Sequence, residues 1–237
     1  MQKRNVDCKD CTNSECLMKK HLGDEGMQDF LVKKNTIFCR KTQNIIIEGS
    51  MVQGLYFIYS GKVKILNTGI YGREQILRLA KEGEMLGLRG FSTHKHSPIG
   101  AVALEDTVIC SFQNDIMKEM LLTLPRLSYH FMNLYAEELD RSETKVRKLA
   151  QMNVREKVVD ALLYVNRKFG QLNGYLSIIM SRKEIADFAG TTEEQVIRVI
   201  SALKKEKLLV SKGKQLGIPN IELLKKEIDD HHYYLQS

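Results

Sequence analysis

The chain has 237 residues, 43% of them hydrophobic and 27% charged, so it can bury packed cores and its composition argues against wholesale disorder. It has no apolar run near the ~18 residues of a membrane-spanning helix and no apolar signal segment at its start, which predicts a cytoplasmic protein without membrane contact. Thirty-six Lys and Arg residues against 29 Asp and Glu residues give a net charge of +7, which permits a polyanionic partner such as nucleic acid.

The first segment, residues 1–25, holds three of the five cysteines, Cys8, Cys11 and Cys16. An odd number of cysteines in a chain without an export signal disfavours a disulfide framework and favours metal binding or redox chemistry. Closely spaced thiolates on a flexible backbone suit an iron–sulfur cluster, and they also suit tetrahedral zinc. A tail without any ligand is the plain alternative.

Residues 26–124 are predicted to form an antiparallel β-roll. Eleven of the 16 glycines precede residue 115, and they punctuate short β-rich runs, as in small barrels and rolls. The clearest runs are 45–47, 55–59, 62–66 and 75–79.

Cys110 and two histidines of the roll are candidate ligands, whereas Cys39 is expected to be structural. Cys110 alternates with the apolar Phe112, as a buried core thiol does, and Cys39 lies in another strand-like segment. His94 and His96 lie in a polar loop, where histidines are usually solvated; a metal role is the alternative.

Residues 125–152 are predicted to form one long helix, which Pro125 can begin. Side chains at alternating spacings of 3 and 4 then lie on one face and form a heptad seam. The seam comprises Met132, Tyr135, Leu139, Ser142, Val146 and Leu149. A seam of this length favours a partner helix in a homodimer; the alternative is a single helix packed on its own roll.

The most informative stretch begins at Ser181 and predicts two helices joined by a tight turn. Ser181 and Glu184 have the spacing of a capping box, which begins the first helix. Ala186 is small where a second helix must cross closely, and Gly190 stands where the turn needs a positive φ. This arrangement is typical of a helix-turn-helix, whose second helix enters the DNA major groove; an ordinary αα-hairpin is the alternative.

The second helix is capped by Thr192 with Gln195, or by Thr191 with Glu194 in a competing register. The apolar inside of the helix pair comprises Ile185, Val196, Val199, Ile200 and Leu203.

The outer face of the second helix carries residue types that read bases. Arg198 can donate two hydrogen bonds to guanine, Glu194 can accept from a cytosine amino group, and Ile197 can contact a thymine methyl. The predicted DNA-facing set comprises Thr192, Glu194, Ile197, Arg198 and Ser201.

A winged domain over residues 153–237 completes this prediction. Residues 153–169 form an amphipathic helix, 170–174 a turn and 175–180 a strand, and a later hairpin turns at Lys212–Lys214 to form the wing. Phosphate contacts are expected from basic side chains that would otherwise form a solvated surface. They are Lys204, Lys205, Lys207, Lys212 and Lys214.

These features together resemble the cyclic-AMP receptor / fumarate-nitrate-reduction regulator (CRP/FNR) family over nearly the whole chain. The glycine pattern of GLYFIYSGKVKI and KEGEMLGLRGF, the long helix and the Glu194-x-x-x-Arg198 spacing carry the resemblance. It implies an α+β fold with β-roll, dimerisation helix and winged helix-turn-helix. It also implies a homodimeric transcription factor that binds palindromic DNA and works with RNA polymerase.

The oxygen-sensing branch of this family has three N-terminal cysteines and a fourth in the roll. Cys8, Cys11, Cys16 and Cys110 match those positions, with four residues between the second and third cysteines instead of five. The resemblance therefore implies a four-iron, four-sulfur cluster on these thiols, while a small organic ligand or another metal or redox signal is the alternative.

Cyclic AMP is not expected as the effector. The cyclic-nucleotide members carry a Glu for the ribose and an Arg-Ser pair for the phosphate, whereas this chain has Leu88 and Pro98-Ile99 at those positions. A buried phosphate without partners would be costly. Arg89 is adjacent, but its side chain is expected on the opposite face.

An enzyme of the thiol oxidoreductase class is the competing reading, because Cys8-x-x-Cys11 is a redox motif. That motif normally follows a strand and opens a helix in a βαβ setting, which this sequence lacks. No phosphate-binding loop, nucleophile elbow or paired catalytic carboxylates occur in the sequence, so no enzymatic activity is expected.

Overall fold

A computed structural model describes residues 6–88 and 96–234. The chain divides into two compact units, one up to Ala136 and one from Glu137. Within the described residues, no helix combines the length and the apolar character that crossing a bilayer requires.

The N-terminal unit is a β-roll of two four-stranded antiparallel sheets, as predicted. Its strands are β1 Asn35–Cys39, β2 Asn44–Ile46, β3 Gly54–Ser60, β4 Val63–Thr68, β5 Glu74–Ala80, β6 Met85–Leu86, β7 Gly100–Ala103 and β8 Thr107–Gln113. One sheet has the order β1-β8-β3-β6 and the other β2-β7-β4-β5. The four predicted runs fall on β2 to β5.

Among the described residues, four α-helices belong wholly or partly to this unit. They are α1 Leu17–Lys20, α2 Met27–Leu31, α3 Asn114–Thr123 and α4 Pro125–Gln151. Helix α4 is the predicted long helix beginning at Pro125, and the division between the two units falls inside it.

Two apolar cores lie on opposite faces of the β1-β8-β3-β6 sheet. The core inside the roll includes Ile109 and Cys39, whose side chain is 3% exposed. The second core joins Cys110 and Phe112 of β8 to apolar side chains of all four helices. Because neighbouring residues of a strand point to opposite faces, Ile109 and Cys110 serve different cores.

The C-terminal unit is a winged helix domain. Its elements are α5 Val154–Phe169, β9 Gln171–Leu172, β10 Tyr175–Leu176, α6 Arg182–Ala189, α7 Glu193–Lys205, β11 Val210–Lys212, β12 Gln215–Gly217 and α8 Ile221–Lys225, followed by a 3₁₀ segment Lys226–Tyr234.

The strand predicted over 175–180 is shorter in the structure and ends at Leu176. Helix α5 runs to Phe169 and ends at Gly170, so only Gln171 and Leu172 remain to pair with β10 before the turn at Asn173. The segment expected to be a plain turn therefore includes the two-residue strand β9.

Arg155 joins three parts of this unit by ion pairs. Its Nε donates to Glu227 Oε2 at 2.6 Å, and its Nη1 donates to Glu206 Oε1 at 3.2 Å at the end of α7. The hydrogen bonds from Arg155 lower the pKa of the Glu206 carboxyl. The start of α5, the end of α7 and the C-terminal segment are thus held at one point.

Lys145, on the part of α4 within this unit, is a half-buried ammonium group. Its Nζ lies 4.5 Å from the centre of the Phe188 ring. Burial lowers the pKa of Lys145 to about 8, the nearby Lys148 acts in the same direction, and Asp160 opposes both. Below pH 8 the folded chain therefore bears the cost of a partly desolvated charge.

We expect Lys145→Met to stabilise the chain at pH 7. A pKa lowered from 10.5 to about 8 corresponds to about 3 kcal/mol, from which the lost contact with the Phe188 ring subtracts, leaving about 1–3 kcal/mol. The folded wild type releases this proton between pH 8 and 10.5 while the unfolded chain keeps it, so wild-type stability rises with pH and the advantage of the variant shrinks.

Denaturant unfolding at pH 7 and pH 10 measures the free energy of unfolding of both proteins, with the exposed Lys226→Met as control. An equal gain in stability at both pH values would contradict the prediction.

Candidate functional site

The first helix of the helix-turn-helix, α6, begins as predicted. The Ser181 hydroxyl accepts from the Glu184 amide at 3.0 Å, and the Glu184 carboxylate accepts from the Ser181 amide at 2.9 Å. Gly190 ends the helix with φ 68° and ψ 47°, a left-handed conformation in which a side chain would be strained. The capping box and the glycine together fix both ends of α6.

The recognition helix, α7, begins at the Thr192 cap. Its hydroxyl accepts from the Gln195 amide at 3.3 Å, and the Gln195 side chain accepts from the Thr192 amide at 3.4 Å. The competing register of Thr191 with Glu194 is wrong, because the Thr191 hydroxyl donates instead to the Gln195 side chain.

The two faces of α7 divide as the sequence indicated. Four members of the predicted apolar set, Ile185, Val196, Ile200 and Leu203, are buried, and Val199 is half-buried. The predicted DNA-facing residues Thr192, Glu194, Ile197, Arg198 and Ser201 are all exposed.

Glu194 and Arg198 form an ion pair one helical turn apart on the exposed face. Both side chains are about three-quarters exposed, and pairs of this kind contribute little stability in water. The pair can therefore open at small free-energy cost.

The predicted wing is the hairpin of β11 and β12, whose turn is Gly213–Lys214 with Gly213 at φ 59°. All the lysines proposed for phosphate contacts are exposed. They are Lys204, Lys205 and Lys207 at the end of α7 and Lys212 and Lys214 in the wing.

The predicted dimerisation seam leaves apolar side chains in water in the single chain. Met132 is 65%, Leu139 61% and Val146 67% exposed, while Leu149 and Ser142 are half-buried.

Tyr135 of the seam is partly engaged within its own unit. Its hydroxyl donates to the Leu88 carbonyl, and its ring packs edge-on against Phe131 with 5.6 Å between ring centres. It thus anchors α4 to the roll in addition to lying on the seam.

The four cysteines of the predicted cluster, Cys8, Cys11, Cys16 and Cys110, line one small cleft, termed here the cysteine cleft. Cys8 and Cys110 are buried, and Cys11 and Cys16 are half-buried. Cys110 comes from β8, and the other three come from the N-terminal segment.

Hydrogen bonds from side chains to backbone carbonyls fix the N-terminal segment. The Asn13 amide donates to the Tyr59 carbonyl at 2.6 Å, and the Lys19 ammonium donates to the Cys8 carbonyl at 3.2 Å and the Lys9 carbonyl at 2.9 Å. The bond from Asn13 ties the segment to β3 of the roll, and the two bonds from Lys19 hold α1 against the part of the segment that carries Cys8.

Burial disfavours ionisation of two thiols of the cleft. Burial raises the pKa of Cys110 to about 11, Lys34 opposes this, and the other cleft thiols reinforce it. Burial also raises the pKa of Cys16. In the described part of the chain, no three His, Cys, Asp or Glu side chains are arranged to hold a metal ion.

Other predicted positions lie apart from the cleft. Cys39 is in the roll core, and His96 is exposed in a single-residue bridge to Met51. His94 and Arg89 lie outside the described residues. At the positions of the cyclic-nucleotide contacts, Leu88 and Ile99 are buried apolar side chains and Pro98 is exposed.

Two polar features near the cleft escaped the sequence analysis. Lys34 is buried with its ammonium facing Cys8. The buried His21 contacts Asp24 Oδ2 through Nδ1 at 2.6 Å and His130 Nδ1 of α4 through Nε2 at 3.2 Å. No local motif marks these residues, because Cys8 is 26 residues from Lys34 and His130 is 109 residues from His21.

Two known domain families match the chain. The cyclic nucleotide-binding domain family matches residues 36–123, which covers the roll, and the Crp-like helix-turn-helix domain family matches residues 156–227, which covers the winged unit.

Full-length regulators are similar to this chain. The transcriptional activator protein Anr of Pseudomonas protegens is 27% identical over 216 residues, covering 89% of this chain and 88% of that protein. The fumarate nitrate reduction regulatory protein of Klebsiella oxytoca is 26% identical over 226 residues, covering 92% and 89%.

Solved structures share the fold. FixK2 from Bradyrhizobium japonicum superposes with a TM-score of 0.73 at 23% identity, covering 81% of this chain and 96% of that one. The c-di-GMP responsive regulator CLP of Xanthomonas campestris superposes with a TM-score of 0.74 at 20% identity, covering 82% and 98%. With both domains and the full-length relatives in agreement, the chain belongs to the CRP/FNR family of DNA-binding transcription regulators, which are not enzymes.

Proposed function

We propose that the protein is a homodimer that binds palindromic DNA through α7 and the wing and senses its effector at the cysteine cleft. The exposed Glu194–Arg198 pair on a helix capped at Thr192 is the observation that carries the DNA part of this proposal. RNA polymerase is the further partner that the family implies.

Base reading is assigned to the outer face of α7. Opening the Glu194–Arg198 pair frees a guanidinium for the O6 and N7 atoms of guanine and a carboxylate for a cytosine amino group. Ile197 offers an apolar contact, and Thr192 and Ser201 offer hydroxyls at the two ends of this face. The exposed lysines supply phosphate contacts, which position the helix without reading sequence.

Dimerisation through α4 is supported by the exposed side chains of the seam. A row of apolar residues spaced by 3 and 4 and left in water is the pattern that a partner helix covers. A palindromic site follows from a two-fold dimer, because each recognition helix then reads one half-site.

The cysteine cleft fits a four-iron, four-sulfur cluster in its donor chemistry. Three thiols on an N-terminal segment and a fourth on β8 face one cleft, and four thiolates are the ligand set of such a cluster. A bound cluster would supply reactivity toward oxygen. The chain would supply four thiolates, whose protons leave on ligation, and the apolar wall of Phe57 and Phe112, which limits water.

The cleft also has a path to the dimer helix. Residues 17–20 form α1 directly after Cys16, and His21 at its end contacts His130 of α4. A change of ligation at Cys16 would therefore alter the packing under the first turns of α4 and shift the dimer equilibrium. Cyclic AMP is not proposed as a ligand, since Leu88 and Ile99 offer no polar partner.

Arg198→Ala should cost about 1–3 kcal/mol on the specific palindrome and little on random DNA, because it removes a bidentate base contact. Lys212→Ala is the matched control: it should weaken both by similar amounts and reduce the salt slope by about one. Titration on palindromic and scrambled duplexes at several salt concentrations measures both. Equal losses on the two duplexes for Arg198→Ala would mean that this face does not read bases.

Val146→Glu with Leu149→Glu should convert the dimer to monomers. Each buried methylene contributes about 0.8 kcal/mol, and two carboxylates in the seam would replace that gain with a desolvation cost. Thr144→Glu with Gln151→Glu places the same charges on the opposite helix face and should leave the dimer intact. Sedimentation equilibrium measures both, and a seam variant that is still dimeric would show the seam to be misplaced.

Protein made and purified without oxygen should contain about four iron atoms per chain, together with acid-labile sulfide. Its visible spectrum should show absorption at about 400 nm. Cys110→Ala should lose the iron, and Cys39→Ala, which alters a thiol of the roll core, should keep it. Wild type without iron or sulfide would end the cluster proposal and leave a regulator that senses another signal.

A further inference from the structure

Lys34 is a buried ammonium group at the wall of the cysteine cleft. It lies between α2 and β1 and is only 5% exposed. Its Nζ donates to the Val6 carbonyl and lies 3.5 Å from Cys8 Sγ. Within residues 6–88 and 96–234, these are its polar partners, and no carboxylate forms an ion pair with it.

Such burial is costly without an anion nearby. Removing an ammonium from water is costly, and contacts with one carbonyl and one sulfur offset that cost only in part. The groups that surround Lys34 and can become anionic are the cleft thiols, and its positive charge acts on Cys110 across the cleft.

The neighbouring lysines have different surroundings. Lys33 is exposed, with its Nζ 3.7 Å from Glu119 and 5.3 Å from the Phe30 ring centre. Lys19 reaches only backbone carbonyls of the N-terminal segment. Lys34 is thus the lysine in the lining of the cleft itself.

We propose that Lys34 is a positioning residue that supplies the counter-charge of the cluster and fixes the N-terminal segment that carries Cys8. This inference rests on the proposed cluster. Four thiolates leave the ligated group negatively charged, so a fixed positive charge beside Cys8 favours its formation. The same charge favours addition of an electron, because net charge and hydrogen bonds to sulfur set the potential of such groups.

The test compares full-length Lys34→Met, Lys34→Gln and Lys34→Arg with wild type after anaerobic reconstitution. Gln keeps a donor for the Val6 carbonyl without the charge, and Arg keeps the charge. Lys33→Met is the matched control on the adjacent exposed lysine. The measurements are iron and sulfide per chain, the rate of iron transfer to a chelator, and the reduction potential by spectroelectrochemistry.

We expect Met and Gln to weaken iron retention about 10-fold and to lower the reduction potential, with Arg restoring both and Lys33→Met leaving both unchanged. Circular dichroism separates loss of fold from loss of charge, and Gln remains informative if Met unfolds the segment. If wild type holds a cluster and Lys34→Gln matches it in retention and potential, the role of Lys34 is overturned while the cluster stands. Wild type without iron would overturn both.

Discussion

The strands β8 and β3 in the middle of the β1-β8-β3-β6 sheet are packed on both faces, and the N-terminal unit depends on that constraint. One face closes the roll, and the other must be covered by helices because it too is apolar. Strand β8 contributes side chains to both cores, with Ile109 facing the inside of the roll and Cys110 facing the helices. The thiol that the N-terminal cysteines meet is therefore placed by strand alternation.

The helices that cover this sheet bring the cysteine segment and α4 into one apolar core. Leu17 and Met18 of α1 share that core with Leu127 and Phe131 of α4. Packed interiors respond to a shifted neighbour by rearranging between discrete packings. Under the proposed function, a change at the cleft would therefore act first on the turns of α4 that precede the predicted seam.

Structural features that depend on neighbouring residues could be predicted from the sequence, and contacts between distant residues could not. The capping pairs at Ser181 and Thr192 and the left-handed Gly190 each depend on residues within one turn, so their spacing was enough to predict them. The length of the strand at Tyr175 depended on where α5 stopped. Lys33 and Lys34 are identical letters side by side, and only the fold buries the second.

The ion pair between Glu194 and Arg198 has a consequence for how the regulator searches a genome. If α7 reads bases as proposed, its outer face is internally neutralised away from the target. The exposed lysines around it would then hold phosphates and let the protein slide along DNA. A random sequence gives neither member of the pair a reason to separate. Under the same proposal, a half-site that offers both a guanine edge and a cytosine amino group would give each member of the opened pair a new partner. Recognition would then require both bases, and a single matching base would do little to arrest the sliding protein.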